Sequence, residues 1–315
     1  MIDPAVTVVI PTYNRRAILQ EPLTALLAGQ RGTLPAFEVV VVDDGASDDT
    51  PTYLAHLAAK EPRLTFERQA TAGPGAARNP GLARARGELL LLLGDDTPPT
   101  PHWLHHHWGA YNALDRPRYY SALGHIHWHP AIPVTPFRHW IHFDGIQFGF
   151  GRIEDPEKLP FALCYTANLA LSRALVADWG GFEPRFRHYG LEDTELGYRY
   201  QCKARVTLRY LLGAAVYHRH GLDIQSVCRR RTQVGRSAWT LVHCHPELAS
   251  FVKLDHYRRH RPWLRTLVGL EGAMLGLAAA LDGLDRRGID VNFAARWLLR
   301  LGYAIGLARG EAHAP

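Results

Sequence analysis

The sequence predicts an α/β fold: a Rossmann-like, mostly parallel sheet flanked by helices, with a helical C-terminal extension. Three observations predict it. Val6 to Ile10 is a short β-branched run, and Phe37 to Val42 and Glu88 to Leu93 are apolar runs that are continuous rather than alternating, as expected for strands buried on both faces of a parallel sheet. Helical stretches separate these runs over the first hundred residues. From Gln225 onward the pattern is helical only, with arginines spaced along apolar stretches.

The elements follow in order. The strand at Val6 to Ile10 closes in Pro11-Thr12-Tyr13-Asn14, and a helix is predicted from Arg16 to Ala28. The second strand ends in the polar turn Asp43-Asp44-Gly45-Ala46-Ser47-Asp48-Asp49-Thr50, which leads to a helix over Thr52 to Lys60. Leu64 to Arg68 is a third strand and Ala76 to Arg86 a helix, and the strand ending at Leu93 is stopped by Gly94-Asp95-Asp96. His102 and His105 to His107 fall in a helix after Pro101. Residues 119–161, rich in His, Trp, Pro and Phe, read as short strands and long loops, where substrate contacts usually lie. Leu163 to Ser172 and Thr207 to His218 are strand-like, with a helix over Glu192 to Cys202 between them. The boundary falls near residue 225, giving a sheet domain over 1–225 and a helical extension over 226–315.

Composition narrows the function classes. With 315 residues and a 47% apolar share, the chain can bury one large core, with or without an appendage. The net charge of +6 is spread without a run of five or six like charges, which argues against a nucleic-acid arm but suits partners that carry phosphate. None of the four cysteines, Cys164, Cys202, Cys228 and Cys244, forms a C-x-x-C pair, so they read as reduced thiols of a cytoplasmic protein. No signal peptide is read in the N-terminus. The longest apolar stretch, Leu264 to Leu281, is broken by Arg265 and Glu271 and reads as a soluble helix.

Three acidic clusters carry the chemistry: Asp43-Asp44, Asp95-Asp96 and Glu192-Asp193. The first two follow parallel strands, at the sheet edge where open α/β folds bind ligands. Carboxylates gathered there repel one another unless a cation or a hydrogen-bonding ligand balances them. Hard divalent cations take such oxygen ligands and bridge to substrate phosphates. The plainer alternative is that each pair caps the helix after it. That suits Asp48 or Asp49, whereas Asp95 and Asp96, followed by Thr97-Pro98-Pro99, favour a metal.

Four blocks in order then resemble family 2 glycosyltransferases of the GT-A fold. They are Val8 to Asn14, Val40 to Asp48, Gly75 to Glu88 with Leu92 to Asp96, and Gly180 to Phe186 with Gly190 to Leu196. The resemblance covers roughly residues 5–220 and implies an inverting, non-processive, metal-dependent transferase acting on a nucleotide-sugar donor, UDP-linked first, with GDP- and dTDP-sugars open. It implies that Pro11, Tyr13, Asp43 and Asp44 line the nucleotide pocket and that Arg78 helps hold the nucleotide. Asp96 would ligate Mn2+ or Mg2+, with Asp95 on the ribose or sugar. The sequence departs from the common three-aspartate form, because Gly94 stands where an acid often does. Asp193 is the expected general base and Glu192 the residue that orients the site or touches the acceptor; the alternative for both is first-turn acids at a helix N-terminus.

His218 and His220 lie where relatives often carry a metal-binding histidine. His125, His127 and His129 alternate and would share one strand face, for acceptor binding or as plain surface. Gln233 to Trp239 faintly resembles the Gln-x-x-Arg-Trp motif of processive synthases with its tryptophan displaced, and the arginines from Arg229 to Arg236 would contact the donor diphosphate. Phe293 to Arg309 forms a basic amphipathic helix suited to packing on the protein or a second subunit, or to peripheral contact at the inner face of a membrane. The acceptor is a glycan, a lipid-linked intermediate or a small molecule of cell-surface glycan biosynthesis. The competing readings are a sugar-nucleotide nucleotidyltransferase and a nucleotide-sugar or glycan-binding module without turnover.

Overall fold

The computed structural model describes residues 3–73, 75–144 and 147–311. It divides into two units. The first holds residues 1–132, 153–184 and 193–220, and the second holds 133–152, 185–192 and 221–315. The second unit therefore combines the chain from residue 221 onward with two earlier segments, 133–152 and 185–192.

The elements run β1 Val6–Thr12, α1 Arg16–Leu27, β2 Phe37–Asp43, α2 Thr50–Ala58 and β3 Leu64–Arg68. A 3-10 turn, Ala76–Arg78, passes into α3 Asn79–Arg84, and β4 Leu89–Leu93, α4 Trp103–Ala113, β5 Ser121–Trp128 and α5 Pro136–Phe143 follow. Then come β6 Asn168–Ser172, α6 Arg173–Trp179, α7 Glu192–Tyr198 and β7 Leu208–His218. The last helices are α8 Ile224–Cys244, α9 Leu254–Arg265, α10 Glu271–Asp285 and α11 Asn292–Glu311.

The first unit carries a seven-stranded sheet in the order β3-β2-β1-β4-β6-β5-β7. β1 pairs in parallel with β2 and β4, β2 with β3, and β5 with β7, while β6 runs against both β4 and β5. The mostly parallel sheet expected from the apolar runs is therefore present: every residue of β2 and β4 is buried. At the amino-terminal edge a polar network sits among these strands. Thr7 donates to Glu38 (2.8 Å), Arg86 Nε donates to Glu38 (2.8 Å), and Gly87 N–H donates to Thr7 (2.9 Å). A Cβ at Gly87 would lie 2.5 Å from the backbone of Val6 and Thr7, so only glycine lets the chain enter β4 here.

Differences from the sequence reading have local causes. The helix expected over 76–86 is split, because Pro80 can enter only at the start of α3. α5 lies where loops were expected, in 119–161. Its signal is Thr135, whose side chain accepts from Arg138 N–H (3.3 Å), followed by Pro136 in the first turn.

In the second unit, acids on α10 satisfy the amino ends of two other helices. Asp282 accepts from Ile224 N–H (2.6 Å) and Gln225 N–H (3.2 Å) of α8, and Asp285 accepts from Phe137 N–H (2.9 Å) of α5. α8 and α11 meet backbone to backbone. A Cβ on Gly306 would lie 2.1 Å from Thr232 O, and one on Gly235 would lie 2.3 Å from Tyr303 O. Gly302, Gly306 and Gly310 recur every fourth residue and so share that face of α11. The 20-residue segment Thr266–Asp285 is long and apolar enough by length and composition to cross a membrane, with mean hydropathy 1.5 and only 22% of the window buried. This differs from the expectation drawn from Leu264 to Leu281, because the more favourable window leaves Arg265 out.

Candidate active site

Because β1, β2 and β4 are parallel, their carboxyl ends open on one edge and present Tyr13-Asn14, Asp43-Asp44 and Gly94-Asp95-Asp96. The reversed strand β6 brings its entry, Thr166-Ala167, to the same edge: Gly94 N–H donates to Ala167 O (3.2 Å). The chain after Asp96 then runs beside the end of β7. Arg219 N–H donates to Asp96 O (2.8 Å) and Tyr217 N–H to Pro98 O (2.9 Å). Backbone pairing thus sets His218 and His220 next to Asp96.

Asp95 is buried and accepts from Thr12 Oγ1 (3.0 Å) and Arg15 (2.9 Å), and the same guanidinium reaches Asp96 (3.1 Å). Burial, and then the adjacent Asp96, push the Asp95 carboxyl up to about 6, while Arg15 and Thr12 pull it back. One arginine therefore balances two neighbouring acids. Gly94 has a steric reason for replacing an acid: a Cβ there would lie 2.9 Å from Thr97 Oγ1 and 3.1 Å from Asp96 Oδ1.

The two acids after β2 differ. Asp43 is fully buried; its Oδ1 accepts from Ala46 N–H (2.8 Å) and its Oδ2 faces Arg68 (3.5 Å), so its carboxylate fixes the turn. Asp44 accepts from Gln69 Nε2 (2.7 Å), Ala72 N–H (2.9 Å) and Gly73 N–H (3.3 Å), which ties the 69–73 loop to the strand end. Tyr13 is 48% exposed beside half-buried Pro11, as a stacking surface for a base needs. Asn14, at φ +52°, accepts from Ser47 N–H (2.7 Å) and locks the β1 and β2 loops together.

Asp193 stands at the head of α7 and accepts from both Thr166 Oγ1 (2.9 Å) and Thr166 N–H (3.2 Å). Burial raises its carboxyl above the usual range, partly offset by the charge of Arg78 and by Thr166. Arg78 is buried in its 3-10 turn, with its guanidinium 5.5 Å from the Phe182 ring centre. Asn79 pins that turn to the Gly180–Phe182 block by a reciprocal pair, donating to Phe182 O (2.9 Å) and accepting from Phe182 N–H (2.8 Å). Glu192 precedes Asp193 with a buried side chain and belongs to the second unit.

His218 is buried, with its ring 5.5 Å from Trp128 and 6.3 Å from His220. Of the alternating histidines, His125 faces the Tyr210 hydroxyl and His129 contacts Glu21 (3.0 Å). Among the described residues no group of three or more His, Cys, Asp or Glu side chains forms a ready metal cage, and none of the four cysteines is in a disulfide. Gln233 to Trp239 lies within α8, with Gly235 against α11. Sequence reading overlooked Arg15 and Thr166. Arg15 carried a weak signal, a cation just after the Tyr13-Asn14 turn; Thr166 carried none, because its partner lies 27 residues away.

The fold is that of solved sugar transferases. The mannosyltransferase PcManGT from Pyrobaculum calidifontis, in complex with GDP-Man and Mn2+, aligns with a TM-score of 0.62 at 19% identity over 98% of this chain and 87% of that one. Residues 7–178, more than half of the chain, match the model of glycosyl transferase family 2, and the chain belongs to that family. Among curated relatives, the hyaluronan synthase of Pasteurella multocida is 29% identical over 61% of this chain and 22% of its own length. The validoxylamine A glucosyltransferase of Streptomyces hygroscopicus subsp. jinggangensis is 30% identical over 62% of this chain and 51% of its own length. The chain thus spans about half or less of these relatives.

Proposed function

We propose that the protein is an inverting, non-processive glycosyltransferase that moves a sugar from a nucleoside diphosphate sugar onto the hydroxyl of a glycan, lipid-linked or small-molecule acceptor. The observation that carries this reading is Asp193. It is a carboxylate aligned by two Thr166 donors, made more basic by burial, and placed by β6 at the edge that carries Asp95 and Asp96. A sugar hydroxyl is a poor nucleophile. A positioned carboxylate takes its proton as the oxygen bonds to the anomeric carbon and the bond to the diphosphate breaks on the opposite face. Glu192, next in the chain, is the orienting acid of this proposal.

The nucleotide pocket consists of Pro11, Tyr13 and Asp44, with Asp43 holding the turn that presents Asp44. Arg78 supplies positive charge for the nucleotide. The divalent cation is assigned to the Asp96 carboxylate with an imidazole from His218 or His220, because the Arg219–Asp96 backbone bond makes these stretches of chain neighbours and because such ions take oxygen and imidazole donors and complete their shell with water and substrate phosphate. When bound, Mn2+ or Mg2+ neutralises charge developing on the leaving diphosphate. UDP is the first donor base to test, from the family resemblance; the GDP-Man carried by PcManGT makes GDP the second.

The test is a donor screen with manganese, read by release of nucleoside diphosphate with and without simple acceptors. Asp193→Asn is expected to bind donor as wild type does while transfer falls about 10²- to 10⁴-fold. Transfer by that variant at the wild-type rate, or no turnover of any nucleotide sugar, overturns the reading.

A further inference from the structure

α5, the turn Phe150–Arg152, α8 and α11 line a cavity of about 460 Å³ within the second unit, in the size range of small-molecule sites. Its polar lining is Arg152, Arg231, Arg296 and Arg300 against the single acid Asp144, with Trp140 beside them. Two other arginines of this unit have carboxylate partners: Arg265 pairs with Glu311 at 2.9 Å, and Arg309 pairs with Glu271. Among the described residues none of the four cavity arginines has one. Arg152 donates to the Asp144 carbonyl. Arg231 lies 4.6 Å from the Tyr303 ring centre, Arg296 4.8 Å from Trp140, and Arg300 5.2 Å from Trp297.

Rings hold guanidinium planes in place but do not cancel their charge. Arg231 is half-buried, and burial lowers its hold on its proton, as expected for a cation short of counter-charge. Four cations facing one carboxylate leave an excess that a single carboxylate ligand does not neutralise but a diphosphate does. Guanidinium forks also match phosphate oxygens two at a time.

We propose that this cavity is a binding site for a phosphate-bearing anion of diphosphate size. Two sources share that chemistry: a free diphosphate, and the phosphomonoester headgroup of a lipid, which also carries more than one negative charge. The second has support next to the cavity, because Phe293 and Trp297 on α11 are 78% and 57% exposed beside Arg296 and Arg300.

The experiment uses the full chain in chelator, so that no metal contributes, and titrates inorganic pyrophosphate by calorimetry. Arg296→Gln with Arg300→Gln alters two exposed side chains and leaves the helix seam intact. It is expected to weaken pyrophosphate on the order of tenfold or more, and lysine at both positions is expected to restore part of that. A second arm floats the protein with phosphatidylcholine vesicles that carry or lack phosphatidic acid. Arginine-dependent flotation only on the vesicles with phosphatidic acid assigns the lipid source, and pyrophosphate binding without flotation assigns the free anion. Neither ligand binding, or binding that the glutamine variant leaves unchanged, overturns the proposal. Since no donor is present, failure here leaves the transferase reading standing, and failure of donor turnover leaves this site standing.

Discussion

The stability of the sheet unit is expected to depend on keeping His107 neutral. His107 is completely buried, and its Nε2 lies 3.0 Å from Asn168 Oδ1, which also accepts from Trp103 Nε1 (2.8 Å). Both amide hydrogens of Asn168 are committed to the carbonyls of His125 (2.9 Å) and Ala214 (2.8 Å). The oxygen therefore faces the imidazole, Nε2 carries the hydrogen, and Nδ1 is left without a hydrogen-bond partner. Burial lowers the His107 pKa from 6.5 to about 4. In the unfolded chain the ring protonates near 6.5, so between that value and about 4 the unfolded state binds the extra proton. The stabilisation is present above 6.5 and is lost as pH falls through this window. At about pH 5 the loss is about 2 kcal/mol. His107→Gln keeps a donor to Asn168 and cannot titrate. Urea denaturation of both proteins at about pH 7.5 and about pH 5 is the assay. Wild type should lose about 2 kcal/mol more than the variant on acidification, because other titrating groups cancel in the difference. Parallel losses would refute the reasoning.

Other expectations follow from the same geometry. Transfer should need Asp193 ionised, so its rate should fall on acidification at a pH above the usual carboxylate range, read as an acid limb in kcat/KM. Thr166→Val removes a donor to the charged form, so that limb should move to higher pH; an unmoved limb counts against Asp193 as the base. Gly124→Ala sets a Cβ 2.2 Å from Ala214 O and 2.3 Å from Asn168 Nδ2, and should cost about 3 kcal/mol or more in chemical denaturation. Arg15→Gln leaves Asp95 and Asp96 without their shared cation, so Mn2+ should raise the variant's melting temperature more than the wild type's. Equal shifts would show that the guanidinium and the metal do not act on the same acids.

How much of this was legible in the sequence depends on how far apart the interacting residues stand. β1, β2 and β4 announce themselves because a strand buried on both faces is apolar at nearly every position, a local property, with buried Thr7 and Glu38 satisfying each other. Asp44, Asp95 and Asp96 were visible for the related reason that acids stopping such strands must lie at the sheet's carboxyl edge. The reversal of β6 leaves no local mark, yet it is what brings Thr166 to that edge. Asn168 looks like an ordinary strand residue until its partners, 46 and 65 positions away, are in place. Nor did spacing show that Asp43 faces inward, since both acids of the pair end the same apolar run. The arginine cavity draws on residues 152, 231, 296 and 300, which no window along the chain contains together.

The glycine contact between α8 and α11 reaches beyond packing. Arg231 projects from α8, whereas Arg296 and Arg300 project from α11, so the spacing of these charges is set by how closely the two backbones approach. At Gly302 an added methyl would lie 3.0 Å from Cys228 O and 3.5 Å from Arg231 Cβ. A bulkier residue at that contact, or one turn on at Gly306, acts as a wedge that spreads the arginines without removing any of them. Anion affinity should then fall with every charge still present, which separates the geometry of the site from its electrostatics.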